Sequence, residues 1–224
     1  MPKPKKPEEK TAPTEITDAI LVLDYDGQTA ASKAKIEREA GQIAKKVAGK
    51  AGKTVHLCKG GDEFAAVMSD PANKTLKKIH VVAHGNQAQV GNYNAGSFAD
   101  WLAPLITNKN NLEKITLHSC QSAAEHPDSK EIYANQLAAA LAPKLQKTQI
   151  KKLTVRGSKG ESYTDSDGHN WVLNEGVAPD YRDTKSAEAD FIKNNTVDRA
   201  SARPKFTISR GDTSKPLKGP FGAG

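Results

Sequence analysis

The sequence predicts an α/β fold: a three-layer α-β-α sandwich with a mostly parallel central sheet, followed by a C-terminal β-hairpin flap. Three observations carry this. Short apolar runs alternate with helix-period segments from Ala19 to Val155, and repeated β-α order argues for a parallel sheet with helices on its faces. The runs are apolar at nearly every position, as in strands covered on both sides. After Gly157 the pattern changes to two short extended pieces around Asp165-Ser166-Asp167-Gly168, where Asp-Gly reads as a hairpin turn.

The elements follow in order. Ala19-Ile20-Leu21-Val22-Leu23 is the first strand, ended by Asp24-Tyr25-Asp26-Gly27. Ile36, Ala40, Ile43, Ala44 and Val47 share one face of a helix that Gly49 and Gly52 close. Thr54 to Cys58 is the second strand, and Asp62 to Met68 a short helix. Lys78 to Ala83 is the third strand. A polar loop leads to a helix bearing Phe98, Trp101, Leu102, Leu105 and Ile106. Ser97 and Asp100 match a capping pattern at its start, and Pro104 is expected to kink or shorten it. Lys114 to Ser119 is the fourth strand, followed by a helix with Tyr133, Leu137, Leu141 and Leu145 every four residues. Lys152 to Val155 is the fifth.

The organisation reads as a disordered basic tail (1–15), one principal domain (16–176) and a partly ordered extension (177–224). The extension holds a surface helix and one strand-like patch, Lys205 to Ser209. At 224 residues the chain can bury one ordinary core. Aromatics are only 5%, so that core must be mainly aliphatic. The net charge of +7 favours anionic partners without choosing among them. No run is long enough for a membrane span, and the N-terminus lacks the apolar stretch of a signal peptide. A cytoplasmic location, or export as an effector by a signal-independent route, is therefore expected. Two cysteines make no disulfide framework, and Cys58 reads as a core residue.

The chemistry lies at two strand ends. Ile79-His80-Val81-Val82-Ala83 runs into His84-Gly85, and Ile115-Thr116-Leu117-His118-Ser119 runs into Cys120. If these strands are parallel neighbours, thiol and imidazole meet at the carboxyl edge of the sheet, where open α/β sheets place their sites. Such a pair is the minimum machinery of a cysteine hydrolase. The Gly85 and Cys120 amides are candidate oxyanion donors. Asp26, ending the first strand on the same edge, is the candidate to orient His84, though it equally suits a plain turn. His80 and His118, inside strands, read as satisfied core or second-layer residues. No zinc spacing occurs, so no metal is expected. Neither nucleotide-binding loop pattern is present, and no nucleic-acid motif is found.

These residues resemble the clan CD cysteine peptidases: caspases, legumains and clostripain. The nearer likeness is to the cysteine protease domain of MARTX toxins and large clostridial glucosylating toxins. Gly91-Asn92-Tyr93-Asn94-Ala95 and Phe98-Ala99-Asp100-Trp101-Leu102 resemble segments between that domain's His and Cys. Leu153-Thr154-Val155-Arg156-Gly157-Ser158 resembles its strand before the flap. Tyr163 to His169, with Trp171-Val172, resembles the flap hairpin.

The resemblance implies a caspase-like fold and a thiol protease, a hydrolase that cuts itself or another protein after a small or apolar residue. It implies His84 and Cys120 as the catalytic pair and Asp26 as an assisting acid. No cofactor is required for the chemistry. Inositol hexakisphosphate is the implied activator, with Arg156 matching a phosphate-binding arginine and Lys151, Lys152 and Lys159 near it; Lys205 and Arg210 join if the tail folds back. Two departures stand out: Ser119 replaces the usual Gly before the Cys, and Gly168-His169-Asn170 replaces a basic continuation of the flap. Two other readings remain open: a non-catalytic module that binds a polyanion or protein, and a thiol-dependent acyl transferase or deamidase.

Overall fold

Each apolar run becomes a strand, and helices form where the apolar spacing set them. The computed structural model describes residues 16–23, 27–180 and 184–209. Its first half runs β1 (Asp18–Leu23), α1 (Ala30–Ala48), β2 (Val55–Cys58), α2 (Gly61–Ser69), a 3₁₀ turn (Pro71–Thr75), β3 (Lys78–Ala83) and α3 (Ala95–Ile106). Then come β4 (Lys114–His118), α4 (Tyr133–Lys144), β5 (Lys152–Arg156), β6 (Ser162–Thr164), β7 (Asn170–Val172), α5 (Lys185–Asn195), α6 (Arg199–Ala202) and β8 (Lys205–Ser209).

The sheet order is β2-β1-β3-β4-β5-β8. The first five strands are parallel, and β8 returns antiparallel to β5, with Lys205 opposite Arg156. The order reverses between β1 and β3, and the carboxyl edge beside such a switch is where ligands gather in open sheets.

Strand parity divides the sheet into two unlike faces. One face carries Leu21, Ile79, Val81, Ile115, Leu117, Leu153, Val155 and Ile208, all fully buried against α2, α3 and α4. Ile20, Val22 and Val82 point the other way and pack on Ile36, Ala40, Ile43 and Val47 of α1. From β3 to β8 this second face turns polar. The result is the three-layer sandwich that the sequence predicts.

Two details differ from the expectation. The start of α3 is capped by Asn94, whose side chain accepts from Ser97 N at 2.8 Å, and not by Ser97 with Asp100. Pro104 neither ends nor shortens α3, which continues to Ile106. Near the end of a helix a proline costs a single internal hydrogen bond, so the helix tolerates it there.

The flap is a separate antiparallel pair, β6-β7, with Tyr163 opposite Trp171. Its turn closes by Gly168 N donating to Asp165 O at 2.9 Å. Gly168 has φ +71°, and a Cβ there would lie 2.3 Å from Gln42 O of α1, so the turn demands glycine. Asn170 bonds back to Ser162 and Thr164, and Trp171 Nε1 donates to Asp165. Helix α5 holds the flap through buried Glu188, which accepts from Tyr163 OH at 2.9 Å and from Ser166. Among the described residues, no helix is long and apolar enough to cross a membrane.

Candidate active site

The site begins with strand register. Val82 of β3 pairs with His118 of β4. Carried two residues further, that register sets His84 opposite Cys120. Both side chains line one small cavity, with Lys35 and Glu39 of α1, His118, Ser119 and Ser162. The strand-end motifs are therefore adjacent and parallel neighbours.

Local packing explains the residues around the pair. A Cβ on Gly85 would lie 2.0 Å from Ser119 Oγ and 2.7 Å from Gln89 O. The glycine after His84 thus makes room for the serine before Cys120. Gly85 bridges to Val90, but Gly91 N and Asn86 N carry the bonds, donating to His84 O at 2.8 Å and Gln89 O at 2.9 Å. The Gly85 amide is not spent on that bridge. After Cys120 the chain turns sharply through Gln121, at φ 53°. That left-handed conformation costs a non-glycine residue about 1–2 kcal/mol. Bonds to the segment after β5 hold it: Gln121 N to Gly160 O at 2.9 Å and Ala123 N to Ser158 O at 2.8 Å.

The pair rests in its neutral form. Burial, together with Glu161 and Glu39, pushes the Cys120 thiol up to about 12, while the Ser162 amide, donating to Sγ at 3.3 Å, works against this. Burial and the nearby Lys35 hold the His84 imidazole below its ordinary value, against contributions from Ser32 and Glu161. His84 Nε2 lies 2.5 Å from Ser32 Oγ. Ser32 sits in the first turn of α1, whose Thr29 cap accepts from Ser32 N at 3.1 Å. Sequence reasoning missed Ser32, because nothing local marks that turn as facing β3. Asp26, the expected orienting acid, lies outside the described residues. Both cysteines are free, and Cys58 is fully buried as expected.

The expected activator residues separate. Arg156 and Lys152 share a sheet face with Lys78, Lys114 and, across β8, Lys205. Thr154 Oγ1 meets Thr207 Oγ1 on that face at 3.3 Å. Arg156 Nε donates to Arg203 O, which brings a further cation in. Burial, then Lys78, Arg156, Lys205 and Arg203, lower the Lys114 ammonium. Lys151 precedes β5 with the opposite parity. Lys159 lines a different feature, and Arg210 lies outside the described residues. Lys78, Lys114 and Arg203 went unread because their convergence depends on register across four strands.

That other feature is a groove of about 730 Å³ beginning at Gln121, Gly160 and Glu161, one residue from Cys120 and Ser162. Val172, Leu173, Val177, Ala178, Pro179, Val197 and Ala202 give it apolar walls. Val197 is the large hydrophobic side chain left exposed among the described residues.

A family described as Domain of unknown function (DUF8616) matches residues 53–171. The chain belongs to that family. The matched span contains His84, Cys120, Arg156 and most of the hairpin. No curated protein matches the chain. Among solved structures, caspase-1 from Spodoptera frugiperda is similar at 12% identity and a TM-score of 0.36, over 70% of this chain and 66% of that one.

Proposed function

We propose that the chain is a cysteine endopeptidase in which Cys120 attacks the scissile carbonyl and His84 manages its proton. The observation that carries this reading is the shared cavity: two parallel neighbours deliver a thiol and an imidazole to the same carboxyl edge. In the reaction Cys120 Sγ bonds to the carbonyl carbon as the thiol proton passes to His84. The oxyanion faces the Gly85 and Cys120 amides. His84 then protonates the leaving amine, and water releases the acyl group. The apolar groove beside Cys120 supports a preference for a small or apolar side chain near the cut. The substrate is this chain or another protein.

The site also supports a switch. In the resting state Ser162 N–H engages the sulfur, Ser32 engages His84, and the thiol is fully protonated at neutral pH. The cations of the open sheet face suit inositol hexakisphosphate, which neutralises their mutual repulsion when bound. Because Lys205 of β8 lies opposite Arg156, such a ligand braces the C-terminal strand that already pairs with β5.

Incubation with a peptidyl electrophile, with and without inositol hexakisphosphate, tests this by intact mass. The expected result is one adduct on Cys120, lost in Cys120→Ala and enhanced by the polyphosphate. Absence of any adduct overturns the peptidase reading. One observation favours a second reading: the thiol is pushed up to about 12, as in an inert buried cysteine. A binding module on the same basic face would show polyanion binding without labelling. Product analysis separates hydrolysis from acyl transfer or deamidation.

A further inference from the structure

The two strand histidines are bonded to each other. His80 Nδ1 lies 3.0 Å from His118 Nε2, and the rings stack with centroids 5.2 Å apart. On the far side, His80 Nε2 lies 3.6 Å from Asp18 Oδ1 of β1. Burial alone would raise the Asp18 carboxyl, but His80, Thr17 and Lys53 hold it at about 2, so it is ionised at any working pH. Lys53 Nζ lies 3.3 Å from it.

At 3.6 Å Asp18 is too far for a hydrogen bond, but a buried carboxylate attracts an N–H and repels a lone pair, so it favours the proton on His80 Nε2. Burial, with Lys78 and Lys114 on the same face, opposes a second proton on His80. Its lone pair is therefore on Nδ1, and His118 must donate to it from Nε2. Every proton in the chain then points toward Asp18, and the next proton goes to His118 Nδ1. His118 lines the cavity of Cys120 and His84. Groups from each surrounding element bear on it. Asp18 stands behind it on β1. Lys78 and Lys114 lie on the basic face of β3 and β4. Lys35 and Glu39 of α1 line the same cavity, and Glu161, from the segment after β5, acts on its Cys120 and His84. Arg203 reaches Leu117 O at 3.5 Å. Glu39 and Glu161 disfavour the thiolate, yet the same carboxylates favour a cation in this cavity.

We infer that His118 is a positioning residue of the thiol site: fixed in one tautomer by His80 and Asp18, it takes up a proton, and its positive charge stabilises the Cys120 thiolate. This rests on the proposed role of Cys120 as nucleophile. His84 then serves the substrate and leaving group. The proton on His118 comes from solvent, and the thiol proton leaves to His84, so no further reactant is needed.

Alkylation of Cys120 by iodoacetamide across pH 5–10 tests the inference on the full chain, with peptide masses resolving Cys120 from Cys58. In His118→Gln alkylation at each pH near neutrality should be roughly tenfold slower, the equivalent of about one pH unit in the ionisation of the thiol. Asp18→Asn should slow it by less. A wild-type profile in His118→Gln overturns the inference. A second measurement needs no change at His118. Histidine ring signals in NMR, compared between protein whose Cys120 is blocked by neutral iodoacetamide and by iodoacetate, should show His118 keeping its proton to higher pH beside the fixed carboxylate, because linkage is reciprocal. Identical titrations also overturn it. Neither readout requires peptide cleavage. A linked thiol without peptidase activity sinks the peptidase reading alone; an active peptidase with an unmoved profile sinks this inference alone.

Discussion

The two faces of the sheet are built from alternate residues of the same strands, yet they do different work. Toward α3 and α4, the strands β3, β4, β5 and β8 offer apolar side chains, among them Ile79, Val81, Ala83, Ile115, Leu117, Leu153, Val155, Phe206 and Ile208. Toward α1 and the flap, the same strands offer His80, His118, Thr116, Thr154, Arg156, Lys114 and Lys205. The first face holds the fold. The second exposes charge and buries histidines, which costs stability unless each group is paired. The candidate site lies at the carboxyl end of this polar face.

The comparison breaks most visibly at the dyad. Cys120→Ala and His84→Ala should each cut peptide turnover by at least about a thousandfold, with the double variant little worse, since groups acting as a unit are not additive. Their melting temperatures should stay near that of wild type. Turnover that survives in Cys120→Ala would remove the polar face's claim to catalysis.

The apolar face should answer in stability instead. Leu117 is fully buried, and Leu117→Ala should cost about 2–5 kcal/mol in denaturant unfolding. Thr154→Ala, one strand over on the polar face, should cost about 1 kcal/mol, the worth of its hydrogen bond to Thr207. Equal losses at the two positions would erase the distinction.

What the sequence reveals follows the same division. Strands are legible because burial on both sides leaves a continuous apolar run. His84 and Cys120 are legible because each ends such a run. Ser32, Glu161 and the His80–His118 pair are not, since each acts on a residue that is distant in sequence. The basic face is half legible: Lys152, Arg156 and Lys205 follow from parity within one strand pair, while Lys78 and Lys114 require the order of the sheet. The sequence pattern places the cap of α3 three residues late, at Ser97 in place of Asn94. Asn94, Ser97 and Asp100 share a spacing, and only backbone conformation distinguishes them.

Acid titration sharpens the comparison at the polar face's buried end. The Asp18 carboxyl is held at about 2, below the ordinary 3.8. A depressed carboxyl adds stability that is present above its unfolded value and is lost as pH falls through the folded one. The contribution should therefore fade between about pH 4 and pH 2 and amount to roughly 2 kcal/mol. Asp18→Asn should be less stable than wild type at pH 7 and converge with it near pH 2. Parallel melting curves across that range would show that Asp18 acts by shape alone.

The smallest expected effect lies at the open end of the same face. Lys114 is disfavoured as a cation by burial first, then by Lys78, Arg156, Lys205 and Arg203. A base with a depressed folded value destabilises the protein while charged, so stability should rise as pH climbs toward its ordinary 10.5. Lys114→Met removes the repulsion and keeps the aliphatic stem. It should stabilise the ligand-free protein at pH 7 by about 0.5 kcal/mol, the scale of a partly solvated charge. With inositol hexakisphosphate present the order should invert, because wild type gains stability by mass action, about 2.7 kcal/mol at a hundredfold excess over the dissociation constant, and the variant gains less. Lys159→Met, away from that face, should leave both values alone. Thermal melts of the three proteins, with and without the polyphosphate and at two salt concentrations, check the inversion. If Lys114→Met is less stable than wild type without ligand, the cations are not strained against one another, and the polar face loses its reason to await an anion.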